Sequence, residues 1–279
     1  MNNPEAPIGV FDSGIGGLTV VRELLRQLPN EDLVYFGDTA RVPYGPKGAE
    51  TVTRYSKEIT SFLIDQGVKA IVIACNTATA HSLEALRDTY KLPIIGVIVP
   101  GSHAAARATR AKRVGVIGTL GTVNSGAYER AIRAADPSIE VISKPCPLFV
   151  PLVEEGWLDH SATRLIADEY LAPLAHTGID ALVLGCTHYP LLKPVIRDIM
   201  GDQITLIDSA EQTAIETAAM LRGFNLQREG GSAETGEPQR QRQLRFIASD
   251  YPDQFQRVGR RFLGDAAPLD HVETITLGC

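Results

Sequence analysis

The chain lacks most of what would assign it to a specialised class. Among 279 residues there are four cysteines, Cys75, Cys146, Cys186 and Cys279, and no C-x-x-C pair. So sparse a set excludes a disulfide framework, a zinc ribbon and a thioredoxin-like motif. The six histidines are scattered, and no two have the i, i+4 spacing of a helical metal site. Positive charge is not in excess: 27 Lys and Arg stand against 33 Asp and Glu, a net charge of −6, which removes the electrostatic footprint of a nucleic-acid partner. No apolar run approaches the roughly 18–20 residues needed to span a bilayer. The opening MNNPEAPIGVFDSG has neither a basic n-region nor a long apolar core, so no signal peptide is expected. The expectation is a cytoplasmic protein with no nucleic-acid and no membrane partner.

What is present is alternation. Short apolar runs at 8–12, 32–36, 70–74 and 94–98 read as strands, and a second series follows at 113–117, 139–143, 181–185 and 204–207. Helical stretches separate them near 17–28, 49–65, 77–90, 101–110, 122–135, 160–175, 190–200 and 209–223. Continuous apolar strands divided by helices predict parallel sheets covered on both faces, an α/β fold. The two series resemble each other. IGVFDSG (8–14) is similar to VGVIGTL (114–120), and GVKAIVIACNT (67–77) to GIDALVLGCTH (178–188), with Cys75 aligned on Cys186. Buried parallel strands can look alike by accident, but two matched pairs in the same order argue for duplication. We expect two pseudo-symmetric three-layer α/β domains: 1–98 with 208–279, discontinuous, and 99–207, with the active site in the cleft between them. The polar stretch 225–243 reads as a surface loop, including its QRQRQ run. LRFIASD (244–250) reads as a further strand and 255–264 as a terminal helix.

Open parallel sheets bind ligands beyond the carboxyl ends of their strands. There the chain places Asp12-Ser13, Gly37-Asp38, Cys75-Asn76-Thr77, Gly118-Thr119, Cys186-Thr187-His188 and Asp208-Ser209. DSGIGG (12–17) is not a dinucleotide fingerprint, because Thr19 stands where the third glycine belongs. It reads instead as a strand-to-helix turn whose N–H groups approach an anion at a helix N-terminus. Cys75 and Cys186 would singly be core residues. As equivalents, each ending a strand and opening a helix, they are expected to have lowered pKa values. A disulfide switch would use two thiols, a metal site would want more ligands, and a single nucleophile needs only one cysteine. Proton transfer on both faces of one carbon needs two opposed groups, one thiolate base and one thiol acid, which is racemisation or epimerisation chemistry.

FDSGIGGLTV (11–20), YFGDTARVPYG (35–45), ACNTATA (74–80), VGVIGTLGTVNSGAY (114–128), CPLFVPLVEEG (146–156) and GCTHYPLL (185–192) together resemble the glutamate racemases of the cofactor-independent aspartate/glutamate racemase superfamily. The resemblance implies interconversion of L- and D-glutamate, with Cys75 deprotonating the D-enantiomer and Cys186 the L-enantiomer. It implies that Asp12 assists the first thiol, and His188 the second with Glu154 nearby. It implies substrate contacts from Asp12, Ser13, Tyr44, Gly45, Asn76, Thr77, Thr187 and His188, with Thr119 and Thr122 on the carboxylates. It further implies a small-molecule substrate, no pyridoxal phosphate, no metal and no nucleotide, a homodimer, and D-glutamate destined for peptidoglycan.

Plainer roles compete. Thr119 and Thr122 suit N-caps, Asp38 and Asp208 suit caps or turns, and His188 suits a structural histidine. Only the resemblance selects Glu154 over Glu155. Cys146, between two prolines, reads as structural, Cys279 as a surface thiol, and Arg41 has no assigned role. Two other functions stay open: a relative acting on aspartate, and a non-catalytic two-lobed amino acid sensor.

Overall fold

The computed structural model describes residues 3–229 and 242–277. Among them the strands are β1 (Ile8–Asp12), β2 (Leu33–Gly37), β3 (Ala70–Ile73), β4 (Ile94–Gly96), β5 (Arg113–Gly118), β6 (Glu140–Pro145), β7 (Ala181–Gly185), β8 (Thr205–Asp208), β9 (Leu244–Ala248) and β10 (Glu273–Thr274). They form a six-stranded sheet, β10-β9-β2-β1-β3-β4, and a four-stranded sheet, β6-β5-β7-β8. Every pairing is parallel. The fold is α/β with two parallel sheets.

Burial explains the spelling. β1, β3 and β7 are buried at every residue, so both faces of each are apolar and no alternation survives. β6 lies at an edge and keeps Glu140, Ser143 and Lys144 partly in water. The order β2-β1-β3-β4 recurs as β6-β5-β7-β8, so the likeness of the two halves extends to their topology.

The chain departs from the expected elements where small residues or proline intervene. The helix expected over 122–135 divides into Leu120–Asn124 and Ala127–Ala135 at Gly126, whose φ of 65° ends the first segment. The stretch 190–200 begins as a 3-10 turn, Tyr189–Leu192, before the helix Lys193–Met200. A short helix, Phe149–Glu154, and the two-residue β10 carry too few residues to show a period. After β8 the helix Ser209–Gly223 packs on helices from both parts of the chain. Glu211 pairs with Arg26 at 3.2 Å, and Gln212 accepts from Arg107 at 3.0 Å. The chain then returns to the first sheet as β9 beside β2, followed by the helix Pro252–Leu263. Most of the 225–243 stretch, with part of QRQRQ, and Cys279 lie outside the described residues.

Buried charge gathers at the amino edge of the first sheet. Lys69 pairs with Glu31, and Arg228 Nη1 reaches Asp32 Oδ2 at 2.8 Å. Glu31 and Asp32 precede β2 and Lys69 precedes β3, with Arg228 reaching back to them, so their charge is kept away from the carboxyl edge. Among the described residues no helix is long and apolar enough to cross a membrane.

Candidate active site

In each sheet the chain leaves two neighbouring strands in opposite directions, at β1 and β3 and again at β5 and β7. Such switch points open a crevice at the carboxyl edge. In the first sheet they deliver Asp12-Ser13 and Cys75; in the second, Thr119 and Cys186. The two crevices share one cavity of about 30 Å³ lined by Ser13, Tyr44, Gly45, Cys75, Asn76, Thr77, Thr119, Cys186, Thr187 and His188, with Val42, Pro43 and Val150 as apolar wall. A larger concavity of about 750 Å³, bordered by Pro4, Glu5, Asn30, Arg222, Asn225 and residues 227–229, includes no cysteine or histidine among its lining residues.

Cys75 is 6% exposed. It caps the helix Asn76–Thr89, accepting from the Ala78 N–H at 3.4 Å, and its Sγ donates to Ser13 Oγ at 3.5 Å. The expected lowering of its pKa does not occur. Burial and the adjacent Asp12 carboxylate outweigh the cap, and the thiol is pushed up to about 12. Cys75 therefore rests protonated.

The glycine-rich turn follows β1 directly. The anion two of its N–H groups meet is the chain's own carboxylate: Gly14 N–H donates to Asp12 Oδ2 at 2.9 Å, and Gly17 N–H also bonds it. Burial nonetheless raises the Asp12 pKa, with His188 acting against it, and Oδ1 has no partner. Gly16 serves close approach: a Cβ there would lie 2.2 Å from Thr187 Oγ1.

Cys186 does not cap an α-helix, since a 3-10 turn follows it. Its Sγ lies 3.9 Å from His188 Nδ1, and His188 Nε2 meets Glu154 Oε1 at 2.9 Å. Burial would lower the imidazole pKa, but the bonds to Cys186 and Glu154 prevail and raise it to about 10. At neutral pH His188 is thus a cation with one N–H toward sulfur and one toward carboxylate. The two thiols have unlike neighbours: a carboxylate and a hydroxyl for one, an imidazolium for the other.

Polar groups complete the cavity. The Thr77, Thr119 and Thr122 hydroxyls form a triangle with sides of 2.8, 3.1 and 3.1 Å. Thr119 is also the N-cap of Leu120–Asn124, so its two readings coexist. Asn76 accepts from Tyr128 OH at 2.7 Å, while its buried Nδ2 has no partner. A buried donor at a cavity wall without a partner is a place for a ligand acceptor. The halves meet here: Gly121 N–H donates to Gly45 O at 2.8 Å, and a Cβ on Gly45 would lie 2.9 Å from Thr119 Cβ.

Asp12, Thr122 and Glu154 stand behind the lining rather than in it. Asp38 opens a turn, its main-chain oxygen accepting from the Arg41 N–H at 3.1 Å, but its side chain does more. Buried, it binds the Tyr44 hydroxyl and accepts from Arg41 Nε at 2.7 Å and Ser249 Oγ at 2.9 Å. Arg41 also pairs with Glu58 and lies over the Tyr55 ring at 4.1 Å, so its charge braces the Tyr44 wall instead of entering the cavity. Asp208 caps Ser209–Gly223 and pairs with Lys193. Cys146 is buried with its Sγ on Lys144 O at 3.7 Å. Val42, Pro43 and Val150 lie inside the motifs YFGDTARVPYG and CPLFVPLVEEG but take no site role from the sequence. Among the described residues no group of three or more His, Cys, Asp or Glu is placed to hold a metal.

The chain matches the profile of the Asp/Glu/Hydantoin racemase family over residues 8–217. A glutamate racemase of Geobacter metallireducens is 54% identical over 261 residues, covering 94% of each chain. One of Syntrophus aciditrophicus is 50% identical over 268 residues, 96% of each. Among solved structures, a glutamate racemase isoform from Bacillus anthracis superposes with a TM-score of 0.90 at 38% identity, covering 98% of both chains. The Francisella tularensis glutamate racemase in complex with D-glutamate gives a TM-score of 0.89 at 40% identity, again over 98% of both.

Proposed function

The chain belongs to the Asp/Glu/Hydantoin racemase family, and from that premise we propose that it interconverts L- and D-glutamate by proton transfer at Cα between two thiols, without a cofactor. One observation carries the mechanism. Cys75 and Cys186 follow equivalent strands, β3 of β2-β1-β3-β4 and β7 of β6-β5-β7-β8, and line one cavity.

With L-glutamate bound, Cys186 as thiolate, steadied by the His188 imidazolium, takes the α-proton. Cys75, a thiol, delivers a proton to the opposite face. The Cα–H bond breaks, the electron pair passes into the planar carbanion, and a new C–H bond forms on the other side. D-glutamate runs the same path backward, with Cys75 as base and Asp12 beside it. The α-proton is weakly acidic, so the carbanion depends on prearranged hydrogen bonds in a site that excludes water. Ser13, Asn76, Thr77, Thr119 and Thr187 supply donors, and no lysine or arginine lines the cavity. Neutral donors avoid deep stabilisation of the bound ground state, which would not help the rate. We read 1–98 with 208–279 and 99–207 as the two units that hold the thiols apart, and peptidoglycan as the destination of the D-glutamate.

The test is to incubate each enantiomer in heavy water with no cofactor added. Two separate thiols put solvent deuterium into the newly formed enantiomer before it enters recovered substrate. Deuterium appearing equally fast in both would refute the two-thiol path. Exchange of aspartate but not glutamate would refute the substrate. Rescue of growth in a bacterium that requires D-glutamate checks the peptidoglycan role.

A further inference from the structure

The helix Pro252–Leu263 belongs to the six-stranded side of the molecule. Phe255 packs on Tyr35 with ring centroids 5.8 Å apart, and Phe262 O accepts from Arg22 Nη1 at 3.4 Å. Its last turn nevertheless reaches the Glu154–His188 pair, which the other sheet carries. The Phe262 ring is fully buried and meets the His188 imidazole edge-on, with centroids 5.1 Å apart and planes at 79°. On another side of that ring lies Gly16, where a Cβ would come within 2.5 Å of Cε1 and Nδ1. Arg261 Nη1 donates to the Glu154 main-chain oxygen at 3.1 Å. Its guanidinium also lies over Gly156, where a Cβ would stand 2.5 Å from Nη1.

We propose that this helix holds the Glu154–His188 pair in line with Cys186, with Phe262 and Arg261 as positioning residues for the second thiol. An imidazole on a flexible side chain can swing about its bond to Cβ. Phe262 and Gly16 leave it one orientation, with Nδ1 at sulfur and Nε2 at carboxylate. Arg261 fixes the backbone from which Glu154 extends. Neither residue touches the cavity, so each acts through His188. The inference rests on the two-thiol reading above.

Its test compares Phe262→Leu, Arg261→Ala and Arg261→Lys with the unaltered enzyme, using glutamate deuterated at Cα in each enantiomer. The equilibrium constant between mirror images is one, so kcat/KM falls alike in both directions, by about tenfold or more for a group misplaced by a fraction of an ångström. The isotope effects separate positioning from general damage. Slower transfer at Cys186 raises the isotope effect with the L-enantiomer and moves that with the D-enantiomer toward one. Arg261→Lys, which keeps a charged donor, recovers most of the rate. Arg261 lies at the surface, so its variants fold even if Phe262→Leu does not. A rate loss with both isotope effects unchanged, or no rate loss, overturns the proposal. An unaltered enzyme that fails to racemise glutamate would instead sink the reading it rests on.

Discussion

Replacing Gly16 by alanine tests how closely the two halves of the site are fitted. The added methyl would lie 2.2 Å from Thr187 Oγ1 and 2.5 Å from His188 Cε1 and Nδ1, where real contacts stay above 3.0 Å. Something must retreat by about 0.5–0.8 Å, and both Thr187 and His188 belong to the machinery around Cys186. Overpacking of this kind costs about 1–3 kcal/mol of stability. A displacement approaching 1 Å in a reacting array costs up to ~10²-fold in rate, about 2.7 kcal/mol of barrier. We expect kcat/KM for Gly16→Ala to fall by about 10- to 100-fold, equally from L- and D-glutamate, as followed by circular dichroism of the substrate. Gly223→Ala is the control: it ends a helix and a Cβ there meets nothing within 4 Å. That change should leave activity intact and add up to ~1 kcal/mol of stability. If Gly16→Ala racemises glutamate within threefold of the unaltered rate, the close fit has no catalytic importance.

Other perturbations reach other parts of the site. Cys75→Ser and Cys186→Ser should each lower kcat/KM by about 10²–10⁴-fold, the usual worth of an acid–base group; a loss below tenfold for either would contradict two-thiol transfer. The His188 pKa is raised from 6.5 to about 10. Its contribution to stability is therefore full below pH 6.5 and is lost as pH rises through 10. Cys75, raised from 9.0 to about 12, has the same sign in a higher window. The urea midpoint should decline from pH 6.5 to 10 and decline less in His188→Asn; parallel curves would show that His188 is not the group responsible. Asp38→Asn should cost about 3 kcal/mol, because it removes the charge paired with the half-buried Arg41 guanidinium. It should raise KM more than it lowers kcat, because Asp38 holds Tyr44; a urea-melt difference under ~1 kcal/mol would refute this.

Strand ends were legible because parallel strands buried on both faces read as unbroken apolar runs, as AIVI and ALVLG do. The paired thiols were legible because the two halves repeat around them. What escaped depends on groups distant in the chain. The Cys75 pKa is governed by burial and by Asp12, 63 positions earlier by their numbers, so the local helix cap misleads. The reason for Gly16 is Thr187 and His188, which only the assembled halves bring to it. Arg41, without a role in the sequence, acquires one from Asp38 and from Glu58, 17 positions on. Phe262 sits in a helix whose apolar spacing reads simply as packing; that one ring faces His188 is set by where the helix lands. Val150 belongs to a six-residue helix containing Pro151, too short for any period to register.

The hydrogen bond from Gly121 to Gly45, and the hydroxyl bridge from Thr77 to Thr119, have a kinetic consequence. Both cross the seam between the halves, beside thiols that are only 6% and 7% exposed. If glutamate enters across this seam, both bonds must part first. Encounter then succeeds only with the parted population, and the apparent dissociation constant is the intrinsic one divided by that fraction, about a hundredfold weaker if ~1% of molecules are parted. The same threshold stands before entry and before exit, and before either enantiomer. Loosening the seam would quicken exchange with solvent while admitting the water that the carbanion must not meet.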